Sequence, residues 1–140
     1  MSATGLEVFD QTLQKTNIWL KGLMDDLGPD RQRAYHALRA VLHSLRDRLT
    51  VEEAAHLSTQ LPLLVRGIYF EGWHPAGKPN KDRSVEEFLG HVETRLQGVE
   101  PINPEVATRA VFRLLQQNVT EREVDHVKAM MGKPLQRLWQ

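Results

Sequence analysis

The 140-residue chain contains no cysteine. That excludes a disulfide scaffold, thiol catalysis and cysteine-ligated zinc, and it fits a reducing cytoplasm. An excess of one charge is also missing. Eighteen Lys+Arg face eighteen Asp+Glu, with eight of each sign in residues 1–70 and ten of each in residues 71–140. Neither half carries the basic surplus that drives binding to nucleic acid or to an anionic membrane. No apolar run approaches transmembrane length, since Pro62, Arg66 and Glu71 interrupt the most apolar stretch. The start of the chain lacks a charged segment followed by an apolar one, so no signal peptide is expected. There is no Gly-x-Ser-x-Gly and no Gly-rich phosphate loop. Of the serines Ser2, Ser44, Ser58 and Ser84, the last reads as a helix cap. These absences predict a cytoplasmic protein with no catalytic constellation, no cofactor, and no nucleic-acid or membrane partner.

What the chain does have is a repeat. Shifted by about 70 positions, Ala37–Tyr69 falls on Ala107–Trp139 without a gap. Ala37, Arg39, Ala40, Val41, Leu45, Thr50, Glu53 and His56 match Ala107, Arg109, Ala110, Val111, Leu115, Thr120, Glu123 and His126. Apolar character is kept at further pairs, among them Leu61/Met131, Val65/Leu135 and Tyr69/Trp139.

Helical spacing runs through both copies. Met1–Gly5 is small and polar and is expected to fray. Phe9, Leu13, Leu20, Leu23 and Leu27 form one face of a first helix, which Gly28-Pro29 ends. A second helix is predicted from about Pro29 to Arg48, with Leu38, Leu42 and Leu45 inward. Thr50-Val-Glu-Glu53 is a capping box opening a third, whose stripe is Ala54, Leu57, Leu61, Leu64 and Ile68. Pro62 predicts a kink or restart near Leu61. The second half repeats this grammar. Ser84-Val-Glu-Glu87 opens a fourth helix and Asn103-Pro104-Glu105 a fifth, with Val106, Ala110, Val111, Leu114 and Leu115 inward. Thr120-Glu-Arg-Glu123 opens a sixth, with Val124, Val127, Met131, Leu135 and Leu138 inward and Pro134 late in the pattern. The predicted fold is all-α: a six-helix bundle of two tandem pseudo-symmetric three-helix repeats, with proline breaks in the third and sixth helices. Residues 6–70 form the first repeat, 71–83 a crossover loop and 84–140 the second, within one domain spanning 1–140. Each half is too small to cover its own stripes, so the halves are expected to pack together across an approximate two-fold.

Two places are candidates for function. The irregular stretch from Phe70 to Arg83 holds two prolines and two glycines, and is longer than most helix–helix connections. Arg66, Tyr69, Trp73, Lys78 and Arg83 offer aromatic faces and cationic donors there, for a small ligand, a partner protein or a second copy of the chain. The plainer account has Tyr69, Phe70 and Trp73 pinning the crossover. The other place is Glu53-Ala-Ala-His56 with Glu123-Val-Asp-His126. Glutamate and histidine three apart share a helix face, and two such pairs form part of a ferritin-like carboxylate/histidine metal site. The full pattern needs further glutamates on two other helices. Glu86, Glu87 and Glu93 stand in the second half without counterparts in the first. The plainer account has both glutamates capping their helices. His36 and His43, seven apart, are too far separated to hold one ion.

One run is more specific than its helical context: Gln60-Leu-Pro62, then Arg66-Gly67, Tyr69, Gly72-Trp73 and Pro75. Together with Ala37–Leu49, Glu52-Glu-Ala-Ala-His-Leu57, Phe88 and Val92, it resembles the bacterial "domain of unknown function 2267" family over nearly the whole chain. The second half departs from it with Met131-Gly-Lys-Pro134. The resemblance implies a small all-helical bacterial protein with no established activity. It carries over no catalytic residue, and it marks Arg66–Pro75 as part of the family signature. The expected role is a non-enzymatic protein-interaction or ligand-binding module. The alternatives are a metal-binding helical bundle and a stress-associated regulatory protein.

Overall fold

The computed structural model describes residues 3–98 and 101–140. Among them the protein is all-helical and has no strand. The helices are α1 (Glu7–Leu27), α2 (Arg31–Arg48), α3 (Val51–Ser58), α4 (Leu63–Phe70), α5 (Val85–Arg95), α6 (Pro104–Asn118), α7 (Glu121–Met131) and α8 (Lys133–Gln136), closed by a 3-10 turn at Arg137–Trp139. Met1 and Ser2, the start of the stretch expected to fray, lie outside the described residues. Thr4, in the same stretch, is tied down: its amide and hydroxyl donate to Asp10 Oδ1 at 3.0 and 2.8 Å.

The helix starts follow side-chain chemistry. Asp30, not the first-turn proline expected at Pro29, caps α2, its carboxylate accepting from the amides of Gln32 and Arg33. Thr50, Ser84, Asn103 and Thr120 cap α3, α5, α6 and α7. The expected third helix is two helices. Proline has no amide to continue α3, and it serves as the N-cap of α4. Arg66 braces the break, donating from Nη2 to the Leu61 carbonyl at 3.2 Å and from Nε, at 2.8 Å, to Ser58 O, which also accepts from the Leu61 amide. The restart changes the helical phase. Ala54, Leu57 and Leu61 are buried as the spacing predicts, but beyond Pro62 the inward residues are Val65 and Tyr69 in place of Leu64 and Ile68. Leu64 is left 39% exposed. The expected sixth helix is divided too, at Gly132, whose φ of 88° lies in the left-handed region that favours glycine. Its stripe nevertheless keeps phase, and Val124, Val127, Met131, Leu135 and Leu138 are all buried.

The core is built around α2, which packs on α1, α4, α5 and α6. Ala34, Ala37 and Ala40 keep its surface narrow, and Leu38, Val41, Leu42 and Leu45 fill the space between its neighbours. α6 packs against α1, α2, α5 and the closing turn. Gly22 lets α1 approach it, because a Cβ there would stand 3.3 Å from Leu114 Cδ1. Phe112 links the second half, with ring centroids 6.1 Å from Phe88 and 4.0 Å from the stacked Trp139. Two expectations of burial fail. Phe9 and Leu13 are 48% and 37% exposed, although α4 reaches the neighbouring Thr12, whose Oγ1 accepts the Leu64 amide at 2.8 Å. Val106, in the first turn of α6, is 48% exposed.

Candidate functional site

The crossover between α4 and α5 is held by charge, and it begins with three consecutive polar residues at the end of the core helix. Arg46 is buried, its Nε donating to Asp47 Oδ1 at 2.8 Å. Its Nη1 reaches the carbonyls of Tyr69 and Glu71, each at 2.9 Å. Asp47 accepts from Arg95 Nη2 of α5 at 2.8 Å, and its own carbonyl takes the Asn80 amide at 2.7 Å. Burial lowers the Arg95 pKa, opposed by the Asp47 charge. Arg48 donates to Asp82 O at 2.8 Å and to Met131 O at 3.2 Å, joining the crossover to the end of α7. Asp82 turns inward and meets His91 Nε2 at 3.0 Å. Arg46 and Asp47 are buried and mutually satisfied, while Arg95 and His91 reach them and Asp82 from a partly exposed rim, so the segment from Glu71 to Ser84 is tied at several points although it contains no regular helix.

The five loop residues singled out from sequence divide into groups. Lys78 and Arg83 line a groove of about 800 Å³ with Arg48, Lys81, Met131 and Pro134. Among the described residues no carboxylate lines it. Arg66 and Tyr69 point elsewhere: Arg66 holds the α3–α4 break, and Tyr69 is buried with its hydroxyl donating to Ala54 O at 2.8 Å. Burial pushes the Tyr69 pKa far up, so it stays a neutral phenol. Trp73 is half-buried on Phe70, ring centroids 5.1 Å apart, and its indole N–H is sealed without an acceptor among the described residues.

A second cluster lies where α3 packs on α7. Glu53 and Glu123 occupy the third position of their helices, and each donates its amide to the capping threonine. Neither carboxylate completes the capping box. The Thr120 amide is taken instead by Gln60 Oε1 at 2.8 Å, and Gln60 Nε2 donates to Thr120 Oγ1 at 3.1 Å. Glu123 is thereby turned into the interface, where it is 1% exposed. His56 Nδ1 stands 2.6 Å from Glu123 Oε1 and His126 Nδ1 4.0 Å away. The His56 contact is close without being aligned as a hydrogen bond. When both carboxylates are ionised, both oxygens of Glu123 and Oε1 of Glu53 have no donor. Burial, followed by the hydrogen bond and charge of the facing Glu123, raises the Glu53 pKa to about 7.

Lys78 and Arg83 of the groove and the Glu-x-x-His pairs were visible in sequence, and the groove's Arg48 was not. The network of Arg46, Asp47 and Arg95, and the part played by Gln60, were not. The available signal was a contrast between the repeats. Arg46-Asp47-Arg48 stands where the second copy has Gln116-Gln117-Asn118, so only the first copy carries charge at this helix end. No curated protein matches the chain in sequence. A family model described as "Uncharacterized conserved protein (DUF2267)" matches residues 16–138, from within α1 to the closing turn, and the chain belongs to that family.

Proposed function

We propose that the protein is a non-enzymatic binding module whose basic groove receives an acidic, partly apolar segment of a partner protein. The carrying observation is the groove itself: Arg48, Lys78, Lys81 and Arg83 around Met131 and Pro134, with no acid among the described residues of its lining, in a chain of zero net charge. Such a concentration of one sign favours an anionic occupant, and the apolar floor favours a chain with side chains to bury. The rigid crossover supports the reading, since a preformed groove loses little entropy on binding. A cytoplasmic setting accords with the lack of cysteine, and among the described residues no helix is long and apolar enough to cross a membrane.

The test is fluorescence anisotropy with a labelled peptide of alternating glutamate and leucine, beside duplex DNA of similar length. Peptide binding is expected to weaken at least about tenfold when Lys78→Glu and Arg83→Glu are combined, and again on raising salt. Tighter binding to DNA than to the peptide, or no effect of the charge reversal, would sink the reading.

We also infer that the chain is a duplicated three-helix unit forming one domain. The support is in the pairing. α1 packs on α6 as α5 packs on α2, while α2–α6 and α3–α7 pair repeat-related helices. Glu53 and Glu123, equivalent by the repeat, meet each other, as expected beside a two-fold axis.

A further inference from the structure

The cluster between α3 and α7 takes no part in the groove, and its chemistry stands whether or not the groove binds a partner. We propose that Glu53, His56 and Glu123, with His126 closing the set, bind one divalent transition-metal ion of the zinc class.

Convergence is the first reason. One ligand atom from each of Glu53, His56 and Glu123 lies within 4.8 Å of the other two. Ligand atoms on a tetrahedral ion are about 3.3 Å apart, so side-chain rotation is enough to close the site. The second reason is Glu123. Its carboxylate is buried, both oxygens lack a hydrogen-bond donor, and one faces the imidazole Nδ1 of His56. Among the described residues its ion pairs are with His56 and His126, and no Lys or Arg reaches it. Buried carboxylates are ordinarily paired or bound to a cation. The third reason is Gln60, which occupies the amide a capping glutamate would use and so leaves Glu123 for other work.

The donor set states the class of ion. Imidazole with carboxylate suits zinc, cobalt, manganese or ferrous iron, whereas calcium and magnesium take six or more oxygens. One ion fits better than two. The carboxylates a ferritin-like pair of metals would need are not here: Glu86, Glu87 and Glu93 lie exposed on α5, and among the described residues only Glu53, His56 and Glu123 converge. His56 and His126 are half-exposed, which leaves an entry path from solvent.

The competing account is a proton shared by Glu53 and Glu123. Calorimetric titration of the chelator-stripped full chain with zinc chloride near neutral pH separates the two. One ion per chain is expected, with a dissociation constant of about 1 µM or tighter. Cobalt in its place should give the intense visible bands of a low-coordinate site. His56→Ala and Glu123→Gln should each weaken binding about 100-fold, and His126→Ala about tenfold. His74→Ala, on the exposed crossover, should bind as the parent does. Circular dichroism checks that each variant folds, and the exposed His56 keeps the test open if Glu123→Gln does not. The proposal is overturned by the absence of saturable binding, by His56→Ala binding as tightly as the parent, by equal loss in His74→Ala, or by displacement of zinc with millimolar calcium or magnesium. A Glu123→Gln chain that gains thermal stability while the parent ignores zinc would assign the proton instead.

Discussion

Gln60 shows how a single side chain redirects its surroundings. Its amide grips both polar groups of Thr120 and displaces Glu123 from the backbone it would otherwise cap. Gln60→Ala is expected to cost about 1–2 kcal/mol in urea unfolding, the range for two hydrogen bonds across a partly exposed seam. Arg66 does comparable work at the proline break, where Arg66→Met would strand the Leu61 carbonyl and leave Ser58 O with the Leu61 amide alone, at a cost of about 1–2 kcal/mol. His43 adds pH dependence. Its Nε2 lies 2.7 Å from Ile68 O, and burial, with help from the charges of Arg46, Arg39 and Arg95, lowers its pKa below the ordinary 6.5. Below about pH 6.5 the unfolded chain then binds the proton more readily than the folded one. Stability should fall as acidity rises through that window, and above it His43 should add nothing. His43→Gln keeps a donor for Ile68 and should flatten this part of the curve. An unchanged difference between variant and parent from pH 5 to about pH 8 would refute the assignment. The Gln60 and His43 partners are not encoded by sequence spacing: Gln60 and Thr120, sixty residues apart, meet only because α3 packs on α7.

Among the helices, the breaks carry most of the information. Pro62 is plain in the sequence, and so is its inability to continue a helix. Its effect on phase is less plain, because the turn between Ser58 and Leu63 sets how far the next helix rotates. Val65 and Tyr69 face the core in consequence, and Leu64 faces outward. At the corresponding break Gly132 takes the positive φ. Gly132→Ala has open space for its methyl group, so its cost is conformational, about 1–2 kcal/mol, read as a lower urea midpoint at unchanged m-value. Phe9 and Leu13 mark the limit of reading stripes: a periodic face says which side of a helix is apolar, not how much of its length finds a neighbour.

Across the whole molecule, the buried charges join what the helices leave separate. Asp47 ties α2 to α5 through Arg95 and to the crossover through the Asn80 amide. Asp47→Ala would leave Arg46 buried without its carboxylate, and the expected loss is about 3–5 kcal/mol. Hydrogen exchange offers a finer check. The Asn80 amide should lose its protection well before the amides at the centre of α2. The Asn80 amide bonds the main-chain carbonyl of residue 47, which alanine keeps, so lost protection in a folded Asp47→Ala chain would report the side-chain network, and protection unchanged from the parent at every crossover amide from Trp73 to Asn80 would show that this network does not hold the crossover.

Helices, caps, proline breaks and the repeat could be read along the chain because each depends on residues within a turn or two of one another. The capping threonines, the 3–4 spacing of leucines and the missing amide of proline act locally and need no neighbour to be recognised. The relation of Glu53 to Glu123, the work of Gln60 and Arg46, and the gathering of Lys78 and Arg83 beside Met131 arise from segments distant in sequence. Those depend on how the helices cross, a consequence of packing volume around α2, and no local pattern encodes it.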